Sequence, residues 1–272
     1  MAERANTEGN WENPIKRLLR DGKAAIGVTI TVNSAEVATQ AAALGFDFLW
    51  IEMEHSPVSL ETLRQIVLAT RGLPALPFAR VPVNELWTAK RVLDAGVLGV
   101  MFPFTSTPEL ARQAAAACRY PPAGRRGSGA GLATFRWPAP EGYYDFADRN
   151  VVVIVIIEEA AAVERVEEIA ATPGVDVLFV GPSDLSFSMG LRGQMKHPKV
   201  EEAMTRVLAA ARRHGKAAGR LATSVEEIRS CLDQGFQLIQ VGTELNFMAA
   251  GARQLLEPLG RSPERRTTGP GY

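Results

Sequence analysis

Apolar residues fall into two alternating rhythms along this chain. Short unbroken apolar runs at 25–30, 46–51, 76–80, 99–102, 151–157, 177–180, 216–221 and 238–241 predict strands buried on both faces, as in a parallel sheet. Between them, apolar positions recur every three or four residues over 34–44, 59–70, 85–95, 107–119, 160–171, 199–214, 224–234 and 245–259, the period of an amphipathic helix. Ser34 suits an N-cap and Gly45 a C-cap, which brackets the first of these helices. Eight strand–helix units with no long linker define an α/β chain and predict a single-domain (β/α)8 TIM barrel over residues 14–259. A polar lead, 1–13, and a flexible polar tail, 260–272, are expected to flank it. No GxGxxG or Walker A sequence follows the first strand, which removes a doubly wound nucleotide-binding sheet. The one long interruption, 120–150, is rich in Pro, Gly and Arg; it follows the fourth helix and is expected as an irregular loop on the face opposite the strand ends, unless it wraps round the barrel or reaches a partner subunit.

Composition narrows the partners. The chain has 272 residues, enough to bury a barrel core, and its 30 basic residues balance 30 acidic ones. No charge field exists to recruit nucleic acid or an anionic membrane surface. No apolar run approaches the roughly 18 residues of a membrane span, and residues 1–14 contain no apolar signal segment, so a cytoplasmic enzyme is expected. Cys118 and Cys231 lack CxxC spacing and are expected as buried reduced thiols.

The candidate chemistry lies at the strand ends. Glu158 follows the 151–157 run at once, and the 177–180 run leads into Gly181-Pro182-Ser183-Asp184. In a parallel barrel the carboxyl ends of neighbouring strands sit side by side, at the face that carries catalysis. Two carboxylates there, with coordination positions left over, suit a hard cation such as Mg²⁺ or Mn²⁺; each acid would serve equally as a helix cap or an ion-pair partner. Glu52, Glu54, His55 and Arg80 end the second and third strands and converge on the same place. A cation on Glu158 and Asp184 would chelate a 2-oxo acid through its carboxylate and ketone oxygens, and Arg80 would face those oxygens with a fixed positive charge. His55 offers an imidazole, the group suited to proton transfer near neutral pH. Glu52 and Glu54 are expected to hold neighbours rather than react. His197 and His214 sit at helix ends and are expected to be structural. Arg125-Arg126 is either an anion or subunit contact or a solvated turn.

Several segments taken together resemble one family. EHSP (54–57), the Arg80 strand end, LDAG (93–96), RYPPAGRRG (119–127), IIE (156–158), VGPSDLSFSMG (180–190) and HP (197–198) are similar, in order over about residues 15–259, to the HpcH/HpaI aldolases. The resemblance implies a metal-dependent class II aldolase that splits a 4-hydroxy-2-oxo acid into pyruvate and an aldehyde. It implies Glu158 and Asp184 as ligands of Mg²⁺ or Mn²⁺, and Arg80 as the group that stabilises the enolate. It also implies His55 as the base, acting with Asp94 across a subunit boundary, and the backbone of Gly181, Pro182 and Ser183 as a carboxylate cradle. A homo-oligomer, such as a hexamer, with active sites near subunit contacts belongs to the same expectation. Three positions depart from the family pattern: Ile156 replaces a glutamine, Glu52 a shorter acid, and Phe102-Pro103-Phe104-Thr105 is bulkier than usual. The apolar replacements motivate an alternative, a macrophomate synthase-like enzyme that decarboxylates oxaloacetate and couples the enolate to a bulkier acceptor. A barrel that binds an oxo acid without catalysis would need a broken site, yet Glu158, Asp184, Arg80 and His55 are all present.

Overall fold

The computed structural model describes residues 11–261; the expectations for 1–10 and 262–272 lie outside them. Eight parallel strands close into a barrel in sequence order: β1 (Ala25–Ile30), β2 (Phe48–Glu52), β3 (Leu76–Arg80), β4 (Gly99–Phe102), β5 (Val152–Ile157), β6 (Val177–Val180), β7 (Ala217–Leu221) and β8 (Leu238–Thr243), which returns to β1. The expected (β/α)8 architecture is therefore present. The barrel fills by placing a ring on one strand over a glycine on its neighbour. A Cβ at Gly27 would lie 2.4 Å from the Phe48 ring, and one at Gly99 would lie 2.3 Å from Phe78. Those two rings stack on each other at 5.6 Å, so the interior is packed rather than hollow.

The surrounding helices are α1 (Pro14–Arg20), α2 (Ala35–Ala42), α3 (Leu60–Ala69), α4 (Leu86–Ala95), α5 (Pro108–Ala117), α6 (Tyr143–Asn150), α7 (Ala160–Glu164), α8 (Val166–Ala170), α9 (Pro182–Ser188), α10 (Pro198–Arg213), α11 (Val225–Gln234) and α12 (Glu244–Leu256). Side-chain caps start most of the long ones, as at Ser34, Ser59, Thr107, Ser224 and Thr243. α1 arises at the end of the polar lead, where the Asn13 side chain accepts the Ile15 N–H and Pro14 opens the helix. Buried Asn13 also donates its N–H to Asn150 Oδ1 at 2.7 Å and its Nδ2 to Asn150 O at 2.9 Å, fastening the chain entry to the end of α6.

Two regions differ from the sequence expectation. Residues 120–150 are more ordered than an irregular loop: Ala130–Phe135 forms a 3-10 helix and α6 follows. Arg136 donates to Thr70 O at 3.0 Å and Trp137 to Gly96 O at 2.7 Å, so the segment satisfies orphan carbonyls at the ends of α3 and α4, opposite the strand ends. The helix expected over 160–171 is two short helices, α7 and α8, broken at Arg165. Cys118 and Cys231 are buried free thiols, and burial pushes the Cys118 thiol up to about 12. No helix among the described residues is long and apolar enough to cross a membrane.

Candidate active site

Glu158 stands just past the last residue of β5, whose side chains are all buried, and is itself 2% exposed. Its Oε1 accepts the Phe104 N–H at 2.6 Å. Phe104 has φ 47°, in the left-handed region where bulky residues are rare, so the turn after β4 is bent in a way that aims this amide at the carboxylate. The other oxygen, Oε2, points toward Gly181: a Cβ there would sit 2.8 Å away, so the close approach of β6 to Glu158 requires glycine. Asp184 lies in the first turn of α9, near enough for its charge to act on both Glu158 and Glu54. Within α9, Ser186 Oγ donates to Ser183 O at 2.6 Å and accepts the Gly193 N–H at 2.9 Å, holding the turn that presents Asp184.

Strand register builds the second half. Glu52 and Arg80 are direct partners across β2 and β3. Glu52 Oε2 accepts Arg80 Nε at 2.6 Å and Trp50 Nε1 at 3.2 Å and lies 2.6 Å from Arg80 Nη2 as an ion pair; its Oε1 accepts the N–H groups of Glu54 at 2.7 Å and His55 at 3.0 Å. One buried carboxylate thus locks the guanidinium and folds the turn that carries His55. The remaining nitrogen, Arg80 Nη1, lies 3.0 Å from Glu54 Oε2, an ion pair out of hydrogen-bond alignment, since that oxygen has no hydrogen-bond partner. His55 Nε2 is 3.7 Å from the same oxygen, with the ring half exposed. Glu54 and Glu52 both hold neighbours, as expected, although Glu54 also shares the electrostatics of the site.

Burial raises the carboxyl of Glu158 to about 7; the Phe104 amide opposes this, while Glu54 and Asp184 add to it. Glu54 is also raised to about 7, by burial first, against the pull of Arg80. Four acids, Glu52, Glu54, Glu158 and Asp184, gather around one arginine, so acid outnumbers base at this site. The donor set is oxygen only, and no cluster of three or more His, Cys, Asp or Glu ligands forms among the described residues. Two carboxylates, Glu158 and Asp184, with remaining positions open to water and substrate, fit a hard octahedral cation such as Mg²⁺ or Mn²⁺.

Gly181, Pro182 and Ser183 form the turn from β6 into α9. Gly181 donates its N–H to Ile157 O at 3.1 Å and Pro182 has none, so only Ser183 and Asp184 offer first-turn amides without helical partners. Ile156 lies beside Glu158 on the same side of β5, its Cγ2 3.3 Å from the Cβ position at Gly181. Asp94 is not brought to His55 within one chain. It is the penultimate residue of α4, a ten-residue helix that rises about 15 Å away from the strand-end face. There its Oδ1 meets Arg126 Nη2 at 3.0 Å, and the buried guanidinium stacks on Tyr120 at 4.6 Å. The feature that sequence reasoning missed is the Phe104 amide. A backbone group carries no residue signature, and only the bulky FPFT end of β4 marked the place.

The family described as HpcH/HpaI aldolase/citrate lyase matches residues 26–250, and the chain belongs to that family. A hydroxypyruvate/pyruvate aldolase of Paraburkholderia phytofirmans is 38% identical over 253 residues, spanning 91% of this chain and 97% of that one. A 5-keto-4-deoxy-D-glucarate aldolase of Salmonella arizonae is 37% identical, spanning 82% and 88%. Among solved structures, an HpcH/HpaI aldolase/citrate lyase family protein from Burkholderia cenocepacia superposes with a TM-score of 0.85 at 38% identity, over 92% of this chain and 100% of that one.

Proposed function

We propose that this chain is a divalent-metal-dependent aldolase that reversibly cleaves a 4-hydroxy-2-oxo acid into pyruvate, or a close relative such as hydroxypyruvate, and an aldehyde. The observation that carries the reading is the gathering of buried Glu158 and half-buried Asp184 with Arg80, whose guanidinium is fixed by Glu52. A cation held by Glu158 and Asp184 would supply Lewis-acid polarisation of the 2-oxo group. Arg80 presents a charge that costs no reorganisation as negative charge grows on the substrate oxygen. His55 takes the proton from the 4-hydroxyl, the C3–C4 bond breaks, and its electron pair enters the enolate of the departing oxo acid. The reaction balances as one proton moved and one carbon–carbon bond exchanged for a carbonyl. The names of the two aldolase relatives support the donor half.

Asp94 reaches a His55 only if it enters the site of a second copy, so we propose a homo-oligomer. α12 supports this: no residue of the helix is buried, and Leu245, Phe247, Met248, Leu255 and Leu256 are all exposed. The alternative, decarboxylation of oxaloacetate with capture by a bulkier acceptor, rests on apolar Ile156 beside Glu158. The test is pyruvate release from a panel of 4-hydroxy-2-oxo acids beside carbon dioxide release from oxaloacetate, each with Mg²⁺, Mn²⁺ or EDTA. Retro-aldol turnover that EDTA abolishes and Glu158→Gln removes is the expected outcome. Decarboxylation alone would transfer the assignment to the alternative, and turnover untouched by EDTA would refute the metal.

A further inference from the structure

A second cavity lies at the other end of the barrel from the site just described. A cleft of about 640 Å³ opens where α1 and the amino ends of β6, β7 and β8 meet, bordered by Asp176, Ala217 and Gln237. Five cations line it, Lys16, Arg20, Arg149, Arg212 and Lys216, against two acids, Glu12 and Asp176. Both acids are already used: Glu12 holds Arg20, and Asp176 takes the Val153 N–H at 2.8 Å and lies 3.5 Å from Lys16 Nζ. Arg149 pairs outside the cleft with Glu141 at 3.1 Å. Two cations have no acidic partner among the described residues: Arg212 donates only to the neutral Gln234 carbonyl, and half-buried Lys216 makes no ion pair. Arg20, Arg149 and Arg212 sit in the last turns of their helices, where cations offset the dipole. That role accounts for their places on the helices. It does not account for Lys216, which precedes β7, nor for the space the charges enclose.

We propose that this cleft is a binding site for a small multivalent anion, a phosphate or a di- or tricarboxylate, held by Lys216 and Arg212 with Lys16 as the deeper donor. The volume is in the range of small-molecule sites, and a planar guanidinium beside a point-charge ammonium suits an anion with several oxygens. The bound anion would tie α1, α10 and the start of β7 together, and stabilise the fold by mass action.

The test is calorimetric titration of the full chain with inorganic phosphate and, separately, with malonate, at an ionic strength held constant with potassium chloride. Saturable binding of either anion at one site per chain, weakened about tenfold (~1.4 kcal/mol) by Lys216→Gln and regained in Lys216→Arg, is the expected result. Binding of phosphate alone identifies a phosphate ligand, and of malonate alone a carboxylate. Turnover at saturating substrate stays at the wild-type level in Lys216→Gln, because residue 216 is at the opposite end of the barrel from Arg80. Should Lys216→Gln not fold, Arg212→Gln provides the same reading. The proposal is overturned if neither anion binds saturably, or if binding is unchanged in the folded charge-removing variants.

Discussion

Gly181→Ala puts a single methyl group against Glu158 and the edge of Ile156. The backbone there has φ −90°, which alanine adopts freely, so the substitution tests space alone. The new carbon would lie 2.8 Å from Glu158 Oε2, 3.0 Å from Glu158 Cβ and 3.3 Å from Ile156 Cγ2, whereas relaxed contacts of this kind lie near ~3.5 Å. Glu158 cannot withdraw: it is 2% exposed and its other oxygen is fixed on the Phe104 amide. Roughly half an ångström of displacement must therefore pass into the carboxylate. Overpacking of this size costs about 1–3 kcal/mol, or roughly 2–4 °C of Tm per kcal/mol in a chain of this length. A carboxylate moved off its ligating position costs a further ~10–100-fold in metal affinity or turnover. The assay is pyruvate release across a Mn²⁺ titration, with Gly27→Ala as the comparison. At Gly27 the new carbon meets the Phe48 ring at 2.4 Å in the barrel interior, so that variant loses stability while keeping its metal half-saturation. A Gly181→Ala enzyme with wild-type turnover and metal dependence would refute the placement of Glu158 as a ligand.

Arg80→Lys replaces a fork that meets Glu52 twice and Glu54 once with a single point charge; turnover is expected to fall about 10²–10³-fold, and near-normal kcat would remove Arg80 from the chemistry. Phe104→Gly relieves the positive φ of an exposed residue while retaining the amide to Glu158, and should leave Tm unchanged or raise it by the equivalent of ~1 kcal/mol; a drop of several degrees would contradict the strain. Glu54 and Glu158 ionise at about 7 in the folded chain against 4.5 for the ordinary group. Between those values the folded chain binds more protons than the unfolded one, so stability falls as pH rises through the window. EDTA-treated protein should melt lower at about pH 8 than at about pH 5, and Mn²⁺ should restore more at the higher pH, where both acids are ionised; a flat profile would show that burial does not raise these acids.

The strands were the most legible part of the chain. The expected bounds of β1, β3 and β4 coincide with those observed, because residues buried on both faces leave a continuous apolar run that no helix shares. What the runs could not show were features set by contacts between distant segments. The order of 120–150 comes from Arg136 and Trp137 reaching the ends of α3 and α4, and neither residue announces that target. α9 is short, and its only local marker was Pro182 at its first position. At the site, Glu158 and Arg80 stood out as charged residues closing apolar runs, a position that a helix cap or an ion-pair partner would share. The double hold of Glu52 on Arg80 and on the His55 turn depends on the β2–β3 register, which is a property of the closed barrel. Asp94 could be located on its helix by period alone, yet its distance from His55 follows from the barrel geometry.

Phe104 divides two duties between its backbone and its side chain. The amide braces Glu158, a task any residue able to hold that turn can perform, while the aromatic ring is 45% exposed and commits to nothing in the core. Selection can therefore exchange the side chain at 104 without disturbing the brace on Glu158. Under the proposed function, substrate range would be free to drift at this position while the brace on Glu158 stays constant, and a laboratory library restricted to this one codon would be the smallest place to look for new aldehydes.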